Sequence, residues 1–79
     1  MENYNFTLKF DLPNKNDDPD HFVDALYECG CNDALIGIGK VGKIALSFSR
    51  LGKTKTAAIE SAKSDVLKAI QGAKFTEFD

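Results

Sequence analysis

Seventy-nine residues, 43% of them hydrophobic, suffice for one small domain with a single core and are too few for a deep cleft between subdomains. Charged residues make up 28% of the chain and the formal net charge is −2, which excludes wholesale disorder and argues against a general nucleic-acid binder. No apolar run approaches the roughly 18 residues of a membrane-spanning helix, and the opening MENYNFTLKF lacks the pattern of a secretory leader, so a cytoplasmic protein is expected.

The charge is unevenly placed. Residues 1–33 hold eight acids and two bases, residues 34–59 hold five bases and no acid, and residues 60–79 hold four acids and three bases. The central basic block of Lys40, Lys43, Arg50, Lys53 and Lys55 therefore leaves a local cationic patch as an expectation.

From Tyr4 to Phe10 the residues Tyr4, Phe6, Leu8 and Phe10 alternate with Asn5, Thr7 and Lys9, and a period of two predicts a strand with one apolar face. The following DLPNKNDD, residues 11–18, is a loop by its proline, asparagine and aspartate content. Its carboxylates lack the ligand spacing and glycine of a calcium loop. Asp18 before Pro19 predicts a helix start. Phe22, Val23, Ala25, Leu26 and Cys29 then mark its apolar face, and Gly30 its left-handed end. His21 sits among carboxylates in the first turn and reads as a solvated or capping residue. The two cysteines, Cys29 and Cys31, stand too close in sequence for an unstrained bridge and lack companions for a metal site. Cys29 reads as a small apolar residue at a helix end and Cys31 as a loop thiol.

Residues 33–50, DALIGIGKVGKIALSFSR, predict a hairpin with strands Ala34-Ile36-Ile38 and Ile44-Leu46-Phe48. The run Gly37-Ile38-Gly39-Lys40-Val41-Gly42 spells G-x-G-x-x-G, but a dinucleotide fingerprint must lead from a strand into a helix. Here it leads into a second strand. Gly39 and Gly42 suit the positive backbone angles of a hairpin loop, and Gly37 predicts a bulge or a close backbone approach. A longer helix follows, from Thr54 or Thr56 to Gln71, with Ile59, Ala62, Val66, Ala69 and Ile70 as its buried stripe and Gly72 as its end. Residues 74–78, KFTEF, predict a last edge strand.

The order strand, helix, hairpin, helix, strand is β-α-β-β-α-β. It predicts an α+β, ferredoxin-like domain over residues 1–79, with two helices on one face of a four-stranded antiparallel sheet. Strands one and three are expected at the centre and strands two and four at the edges. The acidic loop and the hairpin turn then share one end of the sheet, and Arg50, Lys53 and Lys55 lie at the other, near the Cys29–Cys31 corner.

That fold hosts many functions. Base-stacking RNA binders expose aromatics on the central strands, whereas here Phe6, Phe10 and Phe48 are expected to point inward, leaving Asn5, Thr7, Lys9, Ala45, Ser47 and Ser49 outward. Metal carriers of this plan place C-x-x-C after the first strand, where this chain has Asp11-Leu12-Pro13-Asn14. The serines lack a histidine at a recognisable catalytic spacing. No enzymatic activity, cofactor, metal or small-molecule substrate is expected. The outward sheet face of small polar residues, with Leu35 and Phe78 adding apolar area, suits either docking of a second sheet or partner surface or a plain solvated sheet. The candidate interaction residues are Leu35, Lys40, Val41, Lys43, Ser47, Ser49, Arg50 and Lys53.

Phe22 with Ala25-Leu26, the run Gly30-Cys31-Asn32-Asp33-Ala34, Gly37-Ile38-Gly39 with Gly42, and Ile44-Ala45-Leu46-Ser47-Phe48-Ser49-Arg50 form one set of landmarks. Ala58, Ser61-Ala62, Asp65-Val66 and Ala69-Ile70-Gln71-Gly72-Ala73 complete it. Together they resemble a bacterial domain that stands N-terminal to a helix-turn-helix in small DNA-binding regulators. The helix-turn-helix itself is absent from these 79 residues. The resemblance implies a regulatory module that binds a protein partner or forms a homodimer, and DNA reading does not carry over. Two alternatives differ in class. One is a stand-alone inhibitor of phage or mobile-element type, such as an anti-CRISPR protein. The other is weak, salt-sensitive nucleic-acid binding through Lys40, Lys43 and Arg50.

Overall fold

The computed structural model describes residues 1–37 and 41–78. It contains β1 (Glu2–Asp11), a 3-10 turn (Pro19–Phe22), α1 (Val23–Glu28), β2 (Ala34–Gly37), β3 (Lys43–Gly52), α2 (Lys55–Ala69) and β4 (Lys74–Phe78). The four strands form one antiparallel sheet in the order β2-β3-β1-β4, an α+β architecture. β1 and β3 lie at its centre and β2 and β4 at its edges.

The pairing of β1 with β3 runs without interruption from Glu2 opposite Gly52 to Asp11 opposite Lys43. Strand alternation turns Phe6, Leu8, Phe10, Ile44, Leu46 and Phe48 to one side, where all six are buried. Leu26 of α1 and Ala58, Ile59, Ala62 and Val66 of α2 complete the core from above. The rings of Phe6 and Phe48, a directly opposed pair, stack with centroids 5.5 Å apart, a geometry that adds to simple area burial.

The helix ends follow from named side chains. Asp18 accepts a hydrogen bond from the Asp20 amide at 3.0 Å, as its place before Pro19 predicts, but the segment it opens is a 3-10 turn that becomes α-helical only at Val23. Gly30 adopts φ +103°. The amides of Gly30 and Cys31 turn back to the carbonyls of Tyr27 and Leu26, which is the Schellman closure. That closure leaves Cys31 in the loop, as expected, and buries it completely. Thr54 caps α2 by accepting from the Ala57 amide at 3.1 Å.

The hairpin differs from expectation at Gly37 and meets it at Gly42. Gly37 sits in regular register opposite Ala45, so it makes no bulge. Gly42 has φ +84°, and a Cβ built there would lie 2.6 Å from the Lys15 carbonyl oxygen. Its amide donates to the Asp17 carbonyl and its own carbonyl accepts from the Leu12 amide, both at 2.8 Å. Gly42 therefore seats the acidic loop against the hairpin. Gly39 and Ile38 lie outside the described residues.

Among the described residues, the sheet has one register shift, where β4 pairs with β1. Phe75 lies opposite Phe10, but the register shifts so that Glu77 faces Lys9 and Phe78 faces Leu8. One extra residue in the strand reverses the side on which later residues emerge. Phe78 thus falls on the helix side, which corrects its expected contribution to the outer face.

Candidate interaction surface

The sheet face opposite the helices is built by the residues that alternate with the core. β1 contributes Asn3, Asn5, Thr7 and Lys9, β3 contributes Ala45, Ser47, Ser49 and Leu51, and β2 contributes Leu35. Cross-strand pairing sets the rows: Leu35, Ser47 and Thr7 lie side by side, as do Asn5 with Ser49 and Asn3 with Leu51.

The polar groups on this face are largely engaged with one another. Asn3 Nδ2 donates to Ser49 Oγ at 2.7 Å, and the hydroxyls of Thr7 and Ser47 lie 3.2 Å apart. Lys9 meets Glu77 at 3.6 Å and Lys43 meets Asp11 at 2.7 Å. Charge therefore collects at the end near Asp11, and the other half is neutral. In that half the short side chains of Asn5, Thr7, Ser47 and Ser49 floor a shallow depression walled by Leu35 and by Asp33, whose charge Arg50 balances. Leu35 is 78% exposed and Leu51 is 62% exposed. These two leucines supply exposed apolar area on an otherwise polar face.

The expected residues do not share one surface. Leu35, Ser47 and Ser49 share this face. Val41 is exposed near the end that carries Lys43, whose charge Asp11 already balances. Lys53 is exposed beyond the far end of β3. Lys40 lies outside the described residues. Leu51 was not anticipated, although its signal was present: β3 alternates for two residues past Arg50, where the predicted hairpin stopped.

Arg50 is the main correction. Expected on the open surface, it is only 8% exposed, because the Ile44-Leu46-Phe48 alternation continues inward through it. Its Nε and Nη2 grip the two oxygens of Asp33 at 2.8 and 3.0 Å, and Nη1 reaches Asp65 at 2.9 Å and Ser61 at 3.0 Å. Nη2 also donates to the Gly30 carbonyl at 2.8 Å, and the guanidinium lies 4.9 Å from the Phe48 ring centre. The hydrogen bond to Asp33 holds Arg50 protonated more firmly than usual, against the opposing effect of burial, with Asp65 adding to it. One side chain thereby ties together β3, the α1–β2 corner and α2.

Cys31 lies in the same corner. Burial pushes its thiol up to about 11, with the nearby Asp65 carboxylate acting in the same direction. A thiol so protonated is a poor nucleophile and a poor metal ligand. Among the described residues no group of three or more His, Cys, Asp or Glu side chains is placed to hold a metal ion.

No family model matches the chain, and no curated protein or solved structure does either.

Proposed function

We propose that this chain is a non-enzymatic regulatory and interaction module on the ferredoxin-like plan, similar to the partner-binding or dimerising domain of bacterial transcription regulators. Its element order and the strand order β2-β3-β1-β4 support the plan. The observation that carries the functional reading is the outer sheet face, where Leu35 and Leu51 flank a neutral floor of short polar side chains.

Size bounds the partner. Strands of ten, four, ten and five residues, about 4.8 Å apart and rising about 3.4 Å per residue, present about 470 Å², well below the roughly 800 Å² that each side of a standard interface buries. A face of that size suits a reversible complex rather than an obligate one. The cationic reading has less support, because Lys43 and Arg50 are matched by Asp11, Asp33 and Asp65.

The test is sedimentation across a concentration series, together with affinity capture from the native cells, for the wild type and a Leu35→Glu, Leu51→Glu variant. The reading expects an assembly, with itself or with a captured protein, that the double variant loses. A wild type that stays monomeric at its highest soluble concentration and captures nothing overturns it. An assembly indifferent to both substitutions removes the outer face from the proposal.

A further inference from the structure

At the end of the sheet away from Arg50, strand register gathers lysines around one carboxylate. Asp11 of β1 lies opposite Lys43 of β3 on one side and opposite Lys74 of β4 on the other, so three charged residues stand in a row, about 5 Å from strand to strand. Asp11 gives its carboxylate to Lys43 at 2.7 Å. Lys74 is left over. A third lysine, Lys15, arrives on the loop that follows β1, where its backbone packs against Gly42 so closely that a Cβ built on the glycine would lie 3.0 Å from the Lys15 Cα. The two 2.8 Å backbone bonds of Gly42, with Asp17 and with Leu12, fix that loop in place.

These residues line an open cleft of about 370 Å³. Its charges are three lysines and one aspartate, a surplus of two positive charges in a chain whose net charge is −2. Among the described residues neither Lys15 nor Lys74 meets a carboxylate. The acids of the adjoining loop are engaged elsewhere: Asp17 accepts from the Asn14 amide and Asp18 from the Asp20 amide, both at 3.0 Å, and neither lines the cleft. The rest of the wall is Leu12, Pro13, Val41, Gly42 and Gly72. Like charges gathered against walls of low polarity concentrate the field and favour an anion.

We propose that this cleft binds a phosphate group, free or carried by a small molecule. The charge surplus matches the roughly −1.5 to −2 of a phosphate group at neutral pH, and lysine binds phosphate as a point charge. A single carboxylate would leave one ammonium unmatched. The cleft volume lies near the lower end of the roughly 300–1,000 Å³ of small-molecule sites. A polynucleotide needs a run of cationic contacts, and Arg50, toward the other end of β3, is already held by Asp33 and Asp65. The site lies apart from Leu35 and Leu51, goes beyond the outer-face reading and stands without it.

The test follows the amide resonances of the full chain as inorganic phosphate or glycerol phosphate is added at constant ionic strength. Saturable shifts are expected at Lys15, Gly42, Lys43, Gly72 and Lys74. Lys15→Gln combined with Lys74→Gln should weaken binding about tenfold, and Asp11→Asn, which removes the one negative charge, should strengthen it about threefold. Lys53→Gln combined with Lys55→Gln loses the same charge elsewhere and should leave the affinity unchanged. Tighter binding of glycerol phosphate assigns the site to a phosphorylated small molecule, and equal or weaker binding assigns it to free phosphate. A wild type without saturable shifts overturns the proposal, as do shifts spread equally over all lysines. So does an affinity indifferent to the Lys15 and Lys74 changes, or one lowered as much by the Lys53 and Lys55 changes. An oligonucleotide that binds more tightly than either probe and moves amides beyond the cleft replaces the proposal with nucleic-acid binding. The Leu35→Glu, Leu51→Glu variant should keep its phosphate affinity, so the outer-face reading and this one fail separately.

Discussion

Arg50 and Asp33 meet in a two-bonded fork, Nε to Oδ2 at 2.8 Å and Nη2 to Oδ1 at 3.0 Å, across the corner where α1 gives way to β2. The planar guanidinium matches the carboxylate in a way that lysine cannot. Arg50→Ala leaves Asp33 and Asp65 without their cation and the Gly30 carbonyl without its donor. Breaking a buried pair from one side costs about 3–5 kcal/mol. The two carboxylate side chains remain 29% and 23% exposed, which places the expected loss near the lower end. Urea denaturation of the wild type, Arg50→Ala and Arg50→Lys measures it, with Arg50→Lys recovering only part. Equal stability of all three would show the fork to be idle.

Gly42→Ala should destabilise the protein by about 2–3 kcal/mol, because it combines a left-handed backbone with a steric conflict. The new methyl would lie 2.6 Å from the Lys15 carbonyl oxygen, and backbone on both sides limits relief. The same substitution at Gly37, where the nearest contact is an ordinary 3.5 Å, should cost about 1 kcal/mol or less. Thermal melts of the two variants discriminate, and a Gly37→Ala loss as large as that of Gly42→Ala would contradict the assignment of the close approach to Gly42.

The Cys31 thiol carries a pH dependence. Its folded-state value of about 11 lies above the ordinary 9.0, so the folded protein holds this proton where the unfolded chain releases it. Stability is therefore unaffected by this group below about pH 9 and falls as pH rises toward 11, by on the order of 2 kcal/mol in all. Other groups titrate in that range, so the contribution is read as the difference between wild type and Cys31→Ala. The variant loses stability overall, and its alkaline slope should be shallower. Alkylating reagents at neutral pH should modify the half-buried Cys29 well before Cys31. Faster labelling of Cys31 would contradict its burial.

Leu35→Glu should leave the melting temperature nearly unchanged, within about 0.5 kcal/mol, because a residue 78% exposed contributes little to the fold. Whatever it changes in sedimentation or capture is then assignable to association. A large drop in stability would mean that Leu35 serves the fold.

Periodicity is a local signal, and it carried most of the architecture. Tyr4 to Phe10 and Ile44 to Phe48 declare their inward residues by alternation alone, and the α2 stripe of Ile59, Ala62 and Val66 is equally visible. Asp18-Pro19, Gly30 and Gly72 mark their boundaries through backbone chemistry that depends only on neighbouring residues. The sequence also predicts that the acidic loop meets the hairpin end, as the Gly42 bonds to that loop show.

What local pattern could not decide is what happens when segments distant in sequence meet. Charge marks Arg50 as a surface residue, and only the approach of Asp33, Ser61 and Asp65 makes its burial affordable. Cys31 is the loop thiol that its sequence suggests, but only the Schellman turn carries it into the core with Leu26. Phe78 changes side because one extra residue in β4 shifts its register against β1, and register belongs to the pair of strands rather than to either one. The chain by itself determined which residues face inward, because that depends on spacing along one strand or helix. The tertiary structure decided which charges are paired and which side Phe78 takes, because those depend on partners up to seventy residues away.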